Sequence, residues 1–496
     1  MKKYSTAIVW FRNDLRTRDH EALTKAIRSA ETVLPVFIFD PRVLSADART
    51  TLGFQKTGAI RAQFILESLH DLRTSLQARG GDLLVRHGNP ESVLPALMQE
   101  FSAQAIYFHE EATDEEIHVE EALETALQSL SAKTHGYWGA TLYHIDDLPF
   151  SMDTLPDVFT QFRKSVEKGS TVRTTFAPPD SISLPVSFDS QAAGEIPTLR
   201  TLGYTIDDTD DDTDLRQHDE RAVLLFKGGE NEAWKRLQSY IWDGDHLKQY
   251  KETRNGLVGA DYSSKFSAWL AAGCISPRSI YDEVKKYERE RIKNDSTYWL
   301  VFELLWRDFF RFVAFAWENQ LFFDGGLKGE RKQWVKNWDI FERWKQGMTG
   351  IPFIDANMRE LATTGFMSNR GRQNVASFLV RDLNLHWLMG AEYFESQLVD
   401  YDVCSNYGNW NYAAGIGNDP REDRYFNIMR QASMYDPRGD YVKQWISELR
   451  NIPTQYVHEP YKLSREQQRQ YGMTLGVDYP NPVVNLELTS KKFQRE

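Results

Sequence analysis

Thr6-Ala-Ile-Val-Trp-Phe11, followed at once by Arg12-Asn-Asp-Leu-Arg16, is the stretch from which the fold can be read. Six apolar or β-branched residues bounded by a charged turn read as a buried strand. Four further runs share that character: Val33-Leu-Pro-Val-Phe-Ile-Phe39, Asp82-Leu-Leu-Val85, Ala105-Ile-Tyr-Phe108 and Thr141-Leu-Tyr-His144. Amphipathic patterns near 20–30, 58–79, 91–101 and 114–131 alternate with them. Strand–helix alternation predicts a doubly wound, mostly parallel sheet covered on both faces. No G-x-G-x-x-G follows the first strand, so no Rossmann-type pyrophosphate turn is expected there.

Residues 148–220 change character. Pro178-Pro179, Pro185, Pro197 and the acidic run Asp207-Asp-Thr-Asp-Asp-Asp-Thr-Asp214 mark an irregular crossing segment. The acidic run reads as a solvated loop, since the glycine and terminal glutamate of a calcium loop are missing. From 221 onward the pattern is helical, broken by turns such as Asp324-Gly-Gly and Asp436-Pro-Arg-Gly. The expected fold class is therefore α/β plus all-α: a sheet domain over 1–147, a linker over 148–220 and a helical domain over 221–485. A chain of 496 residues is long enough for two cores.

The net charge of -12 excludes a surface coated in phosphate-binding groups but permits one local basic groove. Cys274 and Cys404 lack metal-type spacing, so reduced thiols and no metal site are expected. The first apolar run is cut by Arg12, Asn13 and Asp14, which is not a secretory pattern. The greasiest helix, Phe302 to Trp317, carries Glu303, Arg307, Asp308 and Arg311 and cannot serve as a membrane span. A cytoplasmic monomer is expected. Aromatics are the outlier, with 14 Trp, 22 Tyr and 28 Phe, most of the tryptophans lying after residue 230; large helical cores account for about half of that excess.

Asp400-Tyr-Asp402-Val-Cys-Ser-Asn406-Tyr-Gly-Asn-Trp410-Asn-Tyr412 concentrates acids, amides and aromatics that a core segment would have to satisfy one by one. That mixture suits a flat, redox-active cofactor with a hydrogen-bonding edge, such as a flavin. Trp299, Glu303, Trp306 and Arg307 lie on one helix, the last three on a single face. A Glu–Arg pair four apart is also the pattern of a surface ion pair, but the apolar flanks here favour a pocket wall. Asn369, Arg372, Gln373 and Ala376 share a face at a helix start that suits anions or, equally, a solvated basic turn. Tyr250, Arg254 and Ser263-Ser-Lys-Phe-Ser267 offer hydroxyls and backbone donors, as ordinary caps also do. Trp334, Trp387 and Trp410 are far apart in sequence, and structural tryptophans are the default reading for each.

Together these stretches resemble the photolyase and cryptochrome flavoproteins over nearly the whole chain. Val9-Trp-Phe-Arg-Asn-Asp-Leu-Arg16 is similar to that family's opening signature. Tyr262-Ser-Ser-Lys-Phe-Ser-Ala-Trp-Leu-Ala-Ala-Gly273, Phe302-Glu-Leu-Leu-Trp-Arg-Asp-Phe-Phe310 and Asn406-Tyr-Gly-Asn-Trp-Asn-Tyr-Ala-Ala-Gly415 resemble its DASH cryptochrome branch. The resemblance implies FAD, folded into a U, held by Tyr250, Ser263, Ser264, Lys265, Phe266, Ser267, Trp299, Glu303, Arg307, Asn369, Arg372, Asp400, Asp402 and Asn406. It implies that Asn406 stands beside flavin N5 and that Trp410, Trp387 and Trp334 relay electrons from the surface.

The same resemblance implies that Glu303, Trp306, Asn369, Gln373 and Tyr412 meet a pyrimidine dimer, with Arg254, Arg370 and Lys265 as phosphate contacts. Gln373 and Tyr412 stand where bacterial pyrimidine-dimer photolyases carry Met and Trp. The clamp for a flipped lesion is thus smaller and more polar, which fits dimers in single-stranded DNA better than in duplex. No histidine stands at Asn369 or Gln373, which disfavours the (6-4) class. A methenyltetrahydrofolate antenna is implied too, with Glu110-Glu-Ala-Thr-Asp-Glu116 as a place for its pterin or as a plain solvated loop. A non-enzymatic blue-light photoreceptor is the alternative function.

Overall fold

Side chains along β1 (Tyr4–Phe11) divide between two cores: Ala7, Val9 and Phe11 enter one, Ile8 and Trp10 the other. That period of two is what a strand buried on both faces requires. The computed structural model describes residues 2–130, 132–205, 219–330, 332–418 and 425–493. In it β1 pairs in parallel with β2 (Ala30–Phe39) and β4 (Ala105–His109). β3 (Leu84–His87) and β5 (Lys133–Tyr137) complete a five-stranded sheet of order β3-β2-β1-β4-β5, parallel throughout. The helices Pro90–Glu100 and Asp114–Leu127 cover one face through Leu94, Leu97, Met98, Leu123 and Leu127. The helices Glu21–Ser29 and Ala59–Gln77 lie on the other, and their core is continuous with that of the helical region.

The fifth strand is not the one expected. Thr141-Leu-Tyr-His144 is a loop, and the half-exposed Lys133–Tyr137 forms the edge strand instead. Leu142 and Tyr143 are buried because the loop docks on the helical region, and their amides donate to the Asp308 carboxylate at 2.9 Å each. An apolar run buried by a tertiary contact looks the same in sequence as one buried by a sheet. The crossing segment is also more ordered than expected, since Phe159–Gly169 is a helix. The acidic run 207–214 lies outside the described residues.

The turn after β1 shows why no glycine motif follows it. Leu15 donates to Ala272 O at 3.2 Å and the Arg16 guanidinium to Gly273 O at 2.9 Å. A Cβ on Gly273, which has φ +68, would come within 2.0 Å of Asn13 O. The turn therefore plugs onto the helical region and leaves no open cradle for a diphosphate. Behind it, Asp14 Oδ2 lies 2.8 Å from both His20 Nε2 and His109 Nδ1. His20 Nδ1 accepts the Leu23 amide as a helix cap, so Nε2 carries the proton and is not free to ligate a metal. Among the described residues no helix is long and apolar enough to cross a membrane.

Candidate functional site

Five stretches remote in sequence converge on one cavity of about 560 Å3, within the range of small-molecule sites. The helix Asp295–Trp317 begins at a capping box made by Asn294 and Thr297 and contributes Glu303, Trp306, Arg307 and Phe310 to the wall. Arg254 Nη2 lies 2.8 Å from Glu303. Burial raises the Glu303 carboxyl and Arg254 opposes the rise. Trp306 stacks on Phe159 at 3.6 Å between ring centroids and meets Tyr412 edge-on at 6.0 Å. Arg307 is tied to the carbonyls of Ala140 and Leu270.

The helix Asn369–Ser377 is capped by Ser368, whose hydroxyl accepts the Gly371 amide. It brings Asn369, Arg370, Arg372 and Gln373 to the wall. Arg372 Nη2 reaches both oxygens of the buried Asp400, at 2.9 and 2.8 Å. Arg370 donates to Gln373 Oε1 at 2.8 Å and to Asn255 Oδ1 at 3.0 Å. Tyr250, Ser263, Ser264, Phe266 and Ser267 also line the cavity.

Asp402 caps the helix Val403–Ala414, accepting the Ser405 amide at 2.8 Å. It lies 3.3 Å from Arg311 and 3.6 Å from Arg307. Burial alone would raise its carboxyl, but the two guanidiniums hold it down at about 2. Asn406 and Trp410, on the same helix, line an adjoining chamber of about 140 Å3 that shares Arg372, Asp400, Asp402 and Tyr412 with the main cavity. Asn406 Nδ2 donates to Ala391 O at 3.0 Å, so its second N–H and its carbonyl oxygen are left to meet a ligand.

Three expected contacts are placed differently. Lys265 is buried at φ +55, its ammonium over the Tyr262 ring and bonded to Ala260 O at 2.7 Å. Burial lowers that ammonium to about 7. It lines the cavity but is not an outward phosphate contact, because the backbone turn that carries it also absorbs its charge. Trp299 does not reach the cavity wall; it stacks on Phe302 beneath the Lys251 ammonium. Arg254 is turned inward to Glu303, within the same wall.

The three distant tryptophans come together. The Trp410 ring packs so closely on Gly390 that a Cβ there would lie 2.1 Å from it. Gly390 is one turn from Trp387 in the helix Trp387–Gln397. The indoles of Trp387 and Trp334 donate to the same Asp324 carbonyl, at 3.2 and 3.3 Å. Trp387 is fully buried and Trp334 is partly exposed. Sequence reading missed Ser405 and Asn409, which line both chambers. Ser405 lies three residues from Asp402, Asn409 three from Tyr412, and the two are four apart, which was a usable signal. Nothing in the crossing segment marked Phe159.

A second cavity of about 810 Å3 lies where β1, β2 and β4 end against the helical region. Arg12, Asn13 and Leu44 line it from the segments after β1 and β2, with Glu111 and Thr113 from the turn after β4 and Asp114, Glu115 and Glu116 from the start of the helix that follows. Tyr401, Asp402 and Tyr407 close it from the helices, so Asp402 belongs to the walls of both cavities. Arg311 links the two, 2.8 Å from Glu111 and 3.3 Å from Asp402.

The family profile described as DNA photolyase matches residues 7–180, and that of the FAD-binding domain of DNA photolyase matches residues 299–496. A cryptochrome DASH of Gloeobacter violaceus is 53% identical over 481 residues, 97% of this chain and 93% of the relative. The chain belongs to the DASH branch of the photolyase/cryptochrome family. The crystal structure of a Synechocystis cryptochrome superposes with a TM-score of 0.93 at 50% identity, covering 100% of this chain and 99% of that one. A class III photolyase of Agrobacterium tumefaciens superposes with a TM-score of 0.86 at 28% identity, over 100% and 97%.

The chain thus carries the family's FAD-binding domain, and the cavity's chemistry fits that cofactor. Serine hydroxyls and Arg372 suit phosphates, while Asp402 and the Asn406 carbonyl suit the donors of a flavin ring edge. Arg254 Nε is buried at the wall without a partner, as expected of a group awaiting a ligand.

Proposed function

We propose that this flavoprotein is a blue-light-dependent lyase that splits cyclobutane pyrimidine dimers, preferentially in single-stranded DNA. The observation that carries the reading is that Glu303, Trp306, Gln373 and Tyr412 line one cavity together with Asn369 and Arg372. FAD, when bound and reduced, supplies under blue light the electron that opens the cyclobutane ring and recovers it afterwards. Ser263, Ser264, Ser267, Arg372 and Asp400 would hold its phosphates and sugars, and Asp402 and Asn406 its ring edge. Glu303, neutralised more readily because it is buried, would hydrogen-bond the dimer carbonyls, with Arg254 keeping it in place. Trp306, backed by Phe159, would stack on the pyrimidines. Arg370 would approach the DNA backbone.

The preference for single strands follows from the clamp. Extruding a base from duplex costs about a few kcal/mol for base-flipping enzymes as a class, photolyases among them, and least from single strands. Gln373 is held by Arg370 and presents an amide where an apolar side chain would grip better. Trp334, Trp387 and Trp410 would carry electrons inward from the surface. The second cavity supports a methenyltetrahydrofolate antenna, whose pterin would meet the carboxylates of Glu111 and Glu116.

The test is repair of a defined thymine dimer in matched single-stranded and duplex oligonucleotides, with reduced protein, blue light and a dark control. Faster light-dependent repair of the single strand is expected. No repair of either strand, with FAD bound and reducible, would overturn the lyase reading and favour a photoreceptor.

A further inference from the structure

Tyr407 lies on the same helix as Asn406 and Trp410 but faces away from the main cavity, into the wall of the second one. Its ring meets that of Trp387 edge-on, 6.2 Å between centroids and 85° between planes. Its hydroxyl donates to Glu395 Oε2 at 3.0 Å. Both residues are buried, and both line the second cavity. A phenol in ring contact with an indole and bonded to a carboxylate has what a tyrosine needs to be oxidised: a neighbour to take its electron and a base to take its proton.

Trp387 lacks such a base. Its indole N–H points at the Asp324 carbonyl, which it shares with Trp334, and a carbonyl oxygen is a poor proton acceptor. A positive charge arriving on Trp387 therefore has no local way to be discharged by proton loss. We infer that Tyr407 is a proton-coupled electron donor to Trp387, a branch from the tryptophan chain that ends at the second cavity. The inference rests on the proposed role of Trp410 and Trp387.

The step balances. FAD, when bound, oxidised and excited by blue light, would supply the oxidant and take up the one electron that Trp387 passes through Trp410. Tyr407 gives one electron to the Trp387 cation radical and its hydroxyl proton to the Glu395 carboxylate. The products are neutral Trp387, a neutral tyrosyl radical and a protonated Glu395. A one-electron reductant of thiol or ascorbate type entering the second cavity would regenerate Tyr407. The charged and titratable groups around Glu395 are Arg61, Lys56 and Tyr401. Arg61 spends its contact on the Glu395 backbone carbonyl, at 2.6 Å, so the carboxylate is left to the tyrosines. Burial raises the Glu395 carboxyl, which makes it the stronger base once Tyr407 is oxidised.

The test is laser-flash and transient paramagnetic resonance spectroscopy on the FAD-loaded, oxidised protein, with ring-deuterated tyrosine to identify the radical. A tyrosyl radical is expected after the tryptophanyl one and should be lost in Tyr407→Phe. Its appearance should slow in heavy water and in Glu395→Gln, which a merely structural tyrosine would not do. The solvent isotope effect is read on the unaltered protein, so misfolding of a variant cannot hide the answer. A tryptophanyl radical with no tyrosyl radical, or a tyrosyl radical that survives Tyr407→Phe, overturns the inference and leaves the tryptophan chain standing. Neither radical overturns both.

Discussion

Asp402→Asn isolates the charge at the wall between the two cavities. The asparagine side chain can still accept the Ser405 amide, so the helix cap survives, but the charge facing Arg307 and Arg311 is gone. The fall of the carboxyl from its usual 3.8 to about 2 corresponds to roughly 2–3 kcal/mol, since each tenfold change in proton affinity is worth about 1.4 kcal/mol. That is a large share of a total stability of roughly 5–15 kcal/mol. Because the folded value lies below the unfolded one, the stabilisation is complete above pH 3.8 and is lost only as pH falls through about 2. The stability gap between wild type and Asp402→Asn should therefore be flat between about pH 8 and pH 5. Urea unfolding of both proteins over that range, with and without a fixed excess of FAD, measures it. The flavin-free gap reports the ion pairs alone, since a ligand bound only to the native state adds its own stabilisation. If burial outweighed the arginines, the folded value would instead lie above 3.8 and wild type would gain on the variant as pH fell. A gap that widens from pH 8 to pH 5, or no gap at all, refutes the reasoning.

Trp387→Phe should slow photoreduction of the oxidised flavin while leaving repair by chemically reduced protein intact; equal loss of both activities would sink that separation of roles. Gly390→Ala should push Trp410 out of place, since the new Cβ would lie 2.1 Å from its ring. The overpacking costs about 1–3 kcal/mol, against a helix-propensity gain of at most about 1 kcal/mol, and photoreduction should fall with it. Asp308→Ala leaves the Leu142 and Tyr143 amides without their acceptor, a loss of about 1–3 kcal/mol for each. It should appear as a lower urea midpoint with an unchanged slope. Gln373→Met with Tyr412→Trp should raise duplex repair relative to single-strand repair; an unchanged ratio would remove the clamp from the explanation.

Four strands and the four helices of the sheet region were legible because the buried strands carry short apolar runs and the helices an amphipathic period. The fifth strand was misread for a physical reason. Lys133-Thr-His-Gly-Tyr137 is an edge strand with no fully buried residue, so it lacks the apolar run that marked the others. Thr141–His144 has that run because Asp308, 165 residues further along the chain from Tyr143, binds its backbone. Period cannot tell these cases apart, since it records burial and not the partner. The Phe159–Gly169 helix was hidden among prolines whose neighbourhood reads as a loop.

The site was legible to a different degree. Residues on one helical turn announce one another, so Glu303, Trp306 and Arg307, or Asn369, Arg372 and Gln373, could be grouped from spacing alone. Contacts across helices carry no such mark. Neither the Asp324 carbonyl that joins Trp387 to Trp334 nor the Glu395 carboxylate behind Tyr407 has any spacing relation to its partner. Lys265 shows the same limit from the other side. A lysine in a serine-rich turn reads as a phosphate contact, yet its left-handed backbone folds the ammonium back onto Ala260. Two residues tie these levels together. Asp402 closes both cavities and caps the helix of Asn406, Tyr407 and Trp410. Arg311 joins Asp402 to Glu111 across the two regions. A change in charge in the second cavity is therefore two contacts away from the helix that presents Asn406 to the first, and that coupling is a property of the fold that neither cavity's own residues disclose.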